Sequence, residues 1–264
     1  MMRTLLTKTL YDKRWFLFGW ALVMIFTVVL TVVFFPSFTQ GNTFEELSKS
    51  VPGQLKGFIG DAATFHSITG YIAEQLYNIR LPLMFMIMAL ILAQALTVSD
   101  EERGLLRTVT ALPMSRTRVL LERWAAGVII FGLTSLVAAA SFWVGAIIIN
   151  EPVPFDFTWR VFVLSWLFGI AAFTVIYAVG SASGSRALTM TIGLILTMGG
   201  FLLSTFAPSV QWLKNWEVLS LMHYSDTSSI LKGSLDSINL WILGLLTILS
   251  LFIAILLFRR RDIS

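Results

Sequence analysis

The chain has no cysteine, only two histidines, and a charged share of 13% over 264 residues. The missing cysteine excludes a disulfide scaffold and a thiolate metal site. Charge is scarce against the about 25% of a soluble domain. The hydrophobic share of 56% is correspondingly high. So much apolar surface excludes a disordered chain. Composition leaves open whether the apolar residues form one large core or several membrane spans, and their distribution decides that.

Acidic and basic residues, histidine included, are missing from six blocks: 15–35, 81–98, 125–149, 161–179, 187–207 and 240–258. As helices rising about 1.5 Å per residue, all six are long enough to cross about 30 Å of hydrocarbon. Lipid offers no partner to a free backbone N–H or C=O, so a helix is required there. The expected fold is an all-α integral membrane protein. Its six transmembrane helices would form one transmembrane domain over residues 1–264. The first block is longer than a signal-peptide core and no small-x-small site follows it, so it is expected to stay as a span. With six spans, both chain ends share one side of the membrane.

Lysine and arginine indicate which side. Thirteen flank the blocks on the side of the termini: before the first block, between the second and third, between the fourth and fifth, and after the sixth. Six lie on the other side. The positive-inside bias then places both termini in the cytoplasm of a cell-membrane protein. Trp15, Trp124, Trp159, Trp212, Trp216 and Trp241 sit near block ends, as interfacial anchors do. This topology accounts for the net charge of +4 without a nucleic-acid partner.

Every charged residue, with His66 and His223, is thereby expected in loops and tails. Proton-coupled and ion-coupled transporters use ionisable groups at membrane depth, so a secondary transporter is disfavoured. Ser and Thr within the blocks have no neighbouring base to activate them, which argues against intramembrane catalysis. None of the lysines follows a glycine, so a phosphate-cradling Gly-Lys loop is missing as well. The chain is expected to be no enzyme and to hold no cofactor. Any energy it uses comes from another subunit.

The densest charge lies between the second and third blocks. Ser99 and Glu102 make a capping box, and Asp100, Glu101 and Glu102 suit a helix N-terminus. Leu105, Leu106, Val109 and Leu112 recur at helical spacing, with Arg103 and Arg107 on another side. Pro113 ends this helix and Ser115 can cap the next. Such a helix can lie on lipid headgroups or insert in a partner's groove. The residues alone leave both open.

The stretch DEERGLLRTVTALPMSRTRVLLERW resembles the first cytoplasmic loop of type-2 exporter permeases of the ATP-binding cassette (ABC) superfamily. Glu102, Gly104, Leu112, Pro113, Ser115 and Arg116 match that pattern, while Leu105 stands where the family often has threonine. The resemblance implies a coupling helix from Glu101 to Arg116 that docks on an ATPase subunit. MMRTLLTKTLYDKRW, with Met2, Leu5, Leu6 and Leu10 on one face, looks like the family's interfacial elbow helix. VLSLMHYSDTSSILKG resembles the stretch before the last span through Ser220, Tyr224 and Gly233, although Leu221 replaces the usual proline. FRRRDIS resembles the family's ending at Arg261 and Asp262. Membership implies two ATPase subunits, which carry the ATP and Mg, and a second permease, identical or related. It implies ATP-driven export, and the uncharged spans imply hydrophobic or amphipathic cargo such as a drug, an antibiotic peptide or a lipid-linked molecule. The competing class is a non-transport membrane scaffold or sensor.

Outside the blocks, residues 36–80 read as a long outer loop with possible short helices at FEELSKS and GYIAEQLYNI. It would gate an exit or cover headgroups. Residues 207–239, with Trp212 and Trp216, suit an interfacial or re-entrant segment, which the resembled family folds partway into the membrane. Gly180 and Gly184 form a GxxxG where the fourth block ends, fitting helix packing within the chain or a dimer seam. Gly193, Gly199 and Gly200 suit close packing or a kink. Met84, Met86 and Met88 suit ordinary core contacts or an adaptable cargo path, and His223 a hydrogen-bonding loop residue.

Overall fold

The computed structural model describes residues 4–39, 66–98 and 115–260. Every regular element among them is helical. In chain order they are α1 (Leu5–Asp12), α2 (Arg14–Thr39), α3 (Ile68–Leu96), α4 (Arg116–Ile148), α5 (Phe155–Ser183), α6 (Arg186–Phe206), α7 (Ser228–Leu231) and α8 (Ser237–Arg260). Six of them, α2 to α6 and α8, are long and apolar enough to cross a membrane. They run alternately up and down. The face holding α1 and the last turn of α8 is called the base, and the opposite one the far face.

Capping chemistry fixes several starts. Thr4, Ser67, Ser115 and Ser185 each accept a backbone N–H three residues on, from Thr7, Gly70, Arg118 and Leu188. A side-chain oxygen there satisfies one of the N–H groups that a helix start leaves without a partner. Gly184 ends α5 in the left-handed region at φ 58°, a conformation that costs a residue with a Cβ.

The helices outrun the charge-free blocks, and this corrects two expectations. First, 36–80 is not one loop. α2 continues through Pro36, and GYIAEQLYNI is the opening of α3 rather than a separate helix. FEELSKS lies outside the described residues. Second, charges are not confined to loops and tails. Glu74 and Arg80 lie in α3, Glu122 and Arg123 in α4, and Asp156 and Arg160 in α5. Arg80 even reaches Thr31 of α2, inside that helix's apolar block.

Pro82 explains the shape of α3. It lacks an N–H, and its ring crowds the carbonyl four residues back. The turns before it widen into a π-helix over Ala73–Arg80, where the Leu81 N–H reaches back to the Leu76 carbonyl. A second π segment, Ile195–Gly199, lies within α6.

The bundle is built around α5. Of its most apolar 18-residue window, 72% is buried, against 22% for each of α2, α6 and α8. It packs on α3, α4 and α8, while α2 leans chiefly on α4. Two glycines set the α4–α5 crossing. A Cβ on Gly127 would stand 2.3 Å from the Phe173 ring, and one on Gly169 2.4 Å from the Phe131 ring. Each helix thus seats a phenylalanine in a socket of the other. Rings of Phe85, Phe131, Phe173 and Tyr177 follow one another at 5.2–5.8 Å between centroids. The Tyr177 hydroxyl then donates to the Leu120 carbonyl at 2.9 Å. Met86 and Met88 are sealed in this core and line no open path.

Candidate functional site

The base is where the loop read as a coupling element leaves α3 and re-enters α4. The predicted coupling residues Glu101, Glu102, Arg103, Gly104, Leu105, Leu106, Arg107, Val109, Leu112 and Pro113 lie outside the described residues. Ser115 and Arg116 are described, Ser115 as the N-cap of α4 and Arg116 as its first residue. What the structure shows is how the two ends of that loop are held.

A helix C-terminus leaves carbonyls without partners and carries partial negative charge, so a cation there is favourable. At the end of α3 two cations supply this. The buried Arg123 of α4 donates from Nη1 to the Leu96 carbonyl at 3.0 Å. Lys13, between α1 and α2, donates from Nζ to the Ala95 carbonyl at 3.4 Å. The exit of the loop is therefore tied both to the helix in which the loop ends and to the N-terminal elements.

α1 is tied in by the opposite arrangement. Its first turn presents bare N–H groups and partial positive charge, and Glu122 of α4 accepts from the Leu6 N–H at 3.0 Å. Arg118, one turn earlier, holds the other carboxylate oxygen at 2.7 Å. Leu5, Leu6, Thr9 and Leu10 lie on the inward side of α1, Thr9 buried, and α1 packs on α4. One helix, α4, thus grips α1 through a carboxylate and α3 through a guanidinium on adjacent residues.

The tip of α5 joins this cluster. A Cβ on Gly180 would meet the Thr97 hydroxyl at 2.4 Å, so Gly180 lets α5 approach the end of α3 within the chain. Gly184 supplies the left-handed turn instead. In α6, Gly193 packs closely on Leu90 of α3, whereas a Cβ on Gly199 would meet open space. Trp124 is no interfacial anchor, since its indole N–H donates inside the bundle to Thr174 of α5 at 2.9 Å. Trp15, Trp212, Trp216 and Trp241 are well exposed.

On the far face, residues 207–236 fold back on the bundle through two 3₁₀ segments, Lys214–Leu219 and Leu221–Ser225. Ser220 is buried and donates to the Gly200 carbonyl at 2.8 Å, about 9 Å of helix below the end of α6. The Asn78 amide oxygen in the π segment of α3 accepts from both the N–H (2.9 Å) and the hydroxyl (2.7 Å) of Thr227. His223 sits with Nδ1 3.2 Å from a Glu217 carboxylate oxygen, a loop contact.

Sequence patterning singled out the loop and Ser115, but not the clamp that holds the loop's ends. Lys13, Glu122 and Arg123 act on backbone atoms of other helices, and no spacing in the sequence marks such partners. The one available signal was three ionisable residues next to apolar blocks.

Comparison with protein families gives the class of the chain. Residues 61–259 match the model of the ABC-2 family transporter proteins. That match covers most of the sequence, and the chain belongs to this family. It is a membrane permease of an ABC transporter. A comparison with curated proteins gives no match.

Proposed function

We propose that this permease is the membrane-spanning subunit of an ATP-driven exporter. It pairs with a second permease and is driven by two cytoplasmic ATPase subunits, which hold the ATP and Mg. The base faces the cytoplasm, α1 lies along the membrane surface as an elbow, and the segment from Glu101 to Arg116 docks on the ATPase. The observation that carries this reading is the clamp of Lys13, Glu122 and Arg123. It supports a lever: a push on the loop reaches α3 at Leu96 and α4 at Ser115 together, because Arg123, about two turns into α4, ties that helix to the end of α3. The Phe sockets pass the same displacement to α5. Closure of the ATPases on ATP would then move α3, α4 and α5 as one body and open or squeeze a path beside them. The apolar wall suits hydrophobic or amphipathic cargo.

Co-purification with a candidate ATPase tests the docking. Glu102→Lys combined with Arg116→Glu is expected to abolish both ATPase binding and permease-stimulated ATP hydrolysis. Retention of both would sink the docking assignment. A cysteine placed at Gly104 is expected to resist an impermeant label added outside intact cells, and labelling there would invert the topology.

A further inference from the structure

Arg80 stands apart from the other cations. It is an exposed residue of α3 whose Nη1 donates to Thr31 of α2 at 3.1 Å. Thr31 lies about 12 Å of helix short of the α2 terminus at Thr39. The guanidinium therefore sits within the apolar length of α2, beside the exposed side chains of Leu30 and Phe34. A cation at that level is costly unless its donors are used. Thr31 uses one of them, and the buried Tyr71 lines the same space. No described carboxylate pairs with it, although Arg118 and Arg160 both have one on their own helix.

These groups line a single notch between α2 and α3. Its volume is about 360 Å³, and its walls are Thr27, Leu30, Thr31, Phe34, Tyr71 and Arg80. The π segment of α3 ends at Arg80, so the widened turns set where the guanidinium emerges. Arginine has five N–H donors in a planar fork that matches the oxygens of a phosphate or carboxylate. Arg80 lines this space together with the apolar side chains of Leu30 and Phe34. An anion alone would leave that lining wet, and an apolar molecule alone would leave the cation without a counter-charge. One molecule with both parts satisfies the whole notch.

We propose that the Arg80 notch is a binding site for an anionic amphiphile. The phosphate or carboxylate sits on Arg80 and Thr31, and the tail runs along Leu30 and Phe34. This rests on the transport reading only for its purpose. There it adds an acidic headgroup to the class of cargo, or alternatively fixes a bilayer phospholipid in the wall. Binding itself needs neither ATPase nor second substrate, so it can fail while docking holds, and the reverse.

The test is binding to the full chain purified in a maltoside detergent, followed by calorimetry and native mass spectrometry. Dodecyl phosphate is expected to bind wild type about tenfold more tightly than Arg80→Gln, the effect of losing charge-assisted hydrogen bonds. Arg80→Lys keeps the charge without the fork and is expected to fall between them. Dodecyltrimethylammonium and inorganic phosphate are expected to bind wild type at least about tenfold more weakly than dodecyl phosphate. If Arg80→Gln fails to fold, Arg80→Lys and the three probes on wild type still decide. Equal affinity of wild type and the Arg80 variants for dodecyl phosphate overturns the site. So does inorganic phosphate or the ammonium probe binding as tightly as dodecyl phosphate. A phospholipid that co-purifies with wild type and is lost from Arg80→Gln identifies the lipid source. An empty site that fills on titration identifies an exchangeable molecule, as cargo would be.

Discussion

The two ends of the bundle are tied together by different chemistry. At the base, full charges meet backbone: Arg123 and Lys13 on carbonyls of α3, and Glu122 on the amide of α1. At the far face, the folded-back segment is tied to the bundle by neutral groups: Ser220 on the Gly200 carbonyl and Thr227 on the Asn78 amide. Charge-assisted hydrogen bonds are about twice as strong as neutral ones. They also act on the free carbonyls and amides of helix termini, where the macrodipole adds to them. The base is therefore built to hold its geometry under load, and the far face to release it at lower cost. A machine driven from one end and opening at the other would need this asymmetry.

Three substitutions would break or sharpen the contrast. The largest effect is expected from Arg123→Ala. It removes a buried cation from a helix terminus and leaves the Leu96 carbonyl without its donor, for a loss of about 2–3 kcal/mol. The expected readout is a lower unfolding temperature and an ATPase that still binds but is no longer stimulated. Unchanged stimulation would show that the clamp transmits nothing. Asn78→Leu on the far face is expected to cost less, about 1–2 kcal/mol for two neutral hydrogen bonds. Faster hydrogen exchange should follow in residues 220–231 with the base unaffected. Exchange spread evenly over both faces would show that the two ends are held equally. The smallest effect belongs to Glu122→Gln, which keeps an oxygen for the Leu6 N–H and loses the charge that faces the start of α1 and the exposed Arg118. Its expected cost is below about 1 kcal/mol, measured as a small shift in thermal unfolding.

Charge-free blocks were enough to count the helices, and Ser115 was legible as a cap because its chemistry is local. The errors have physical reasons. α3 starts at Ile68 rather than at residue 81 because Asn78 and Arg80 find partners on other segments, Thr227 and Thr31. Polar residues satisfied in that way look, in sequence, like the end of a span. The GxxxG at Gly180 attracted notice through its spacing. The two sockets at Gly127 and Gly169 did not, because each is a lone glycine opposite a ring on another helix. Residues 99–114, where the sequence suggested a coupling element, lie outside the described residues, and their flanks at Leu96, Ser115 and Arg116 lie within them.

The sockets bear on how such a bundle can move. Sliding α4 along α5 by one residue would take two phenyl rings off the glycines that make room for them, at adjacent turns of the same contact. Rotating either helix would do the same. This pair is a rigid unit rather than a sliding joint. Whatever shape change the molecule undergoes must be taken up where α2, α6 and α8 ride on its outside. Those three helices have most of their surface turned away from the core.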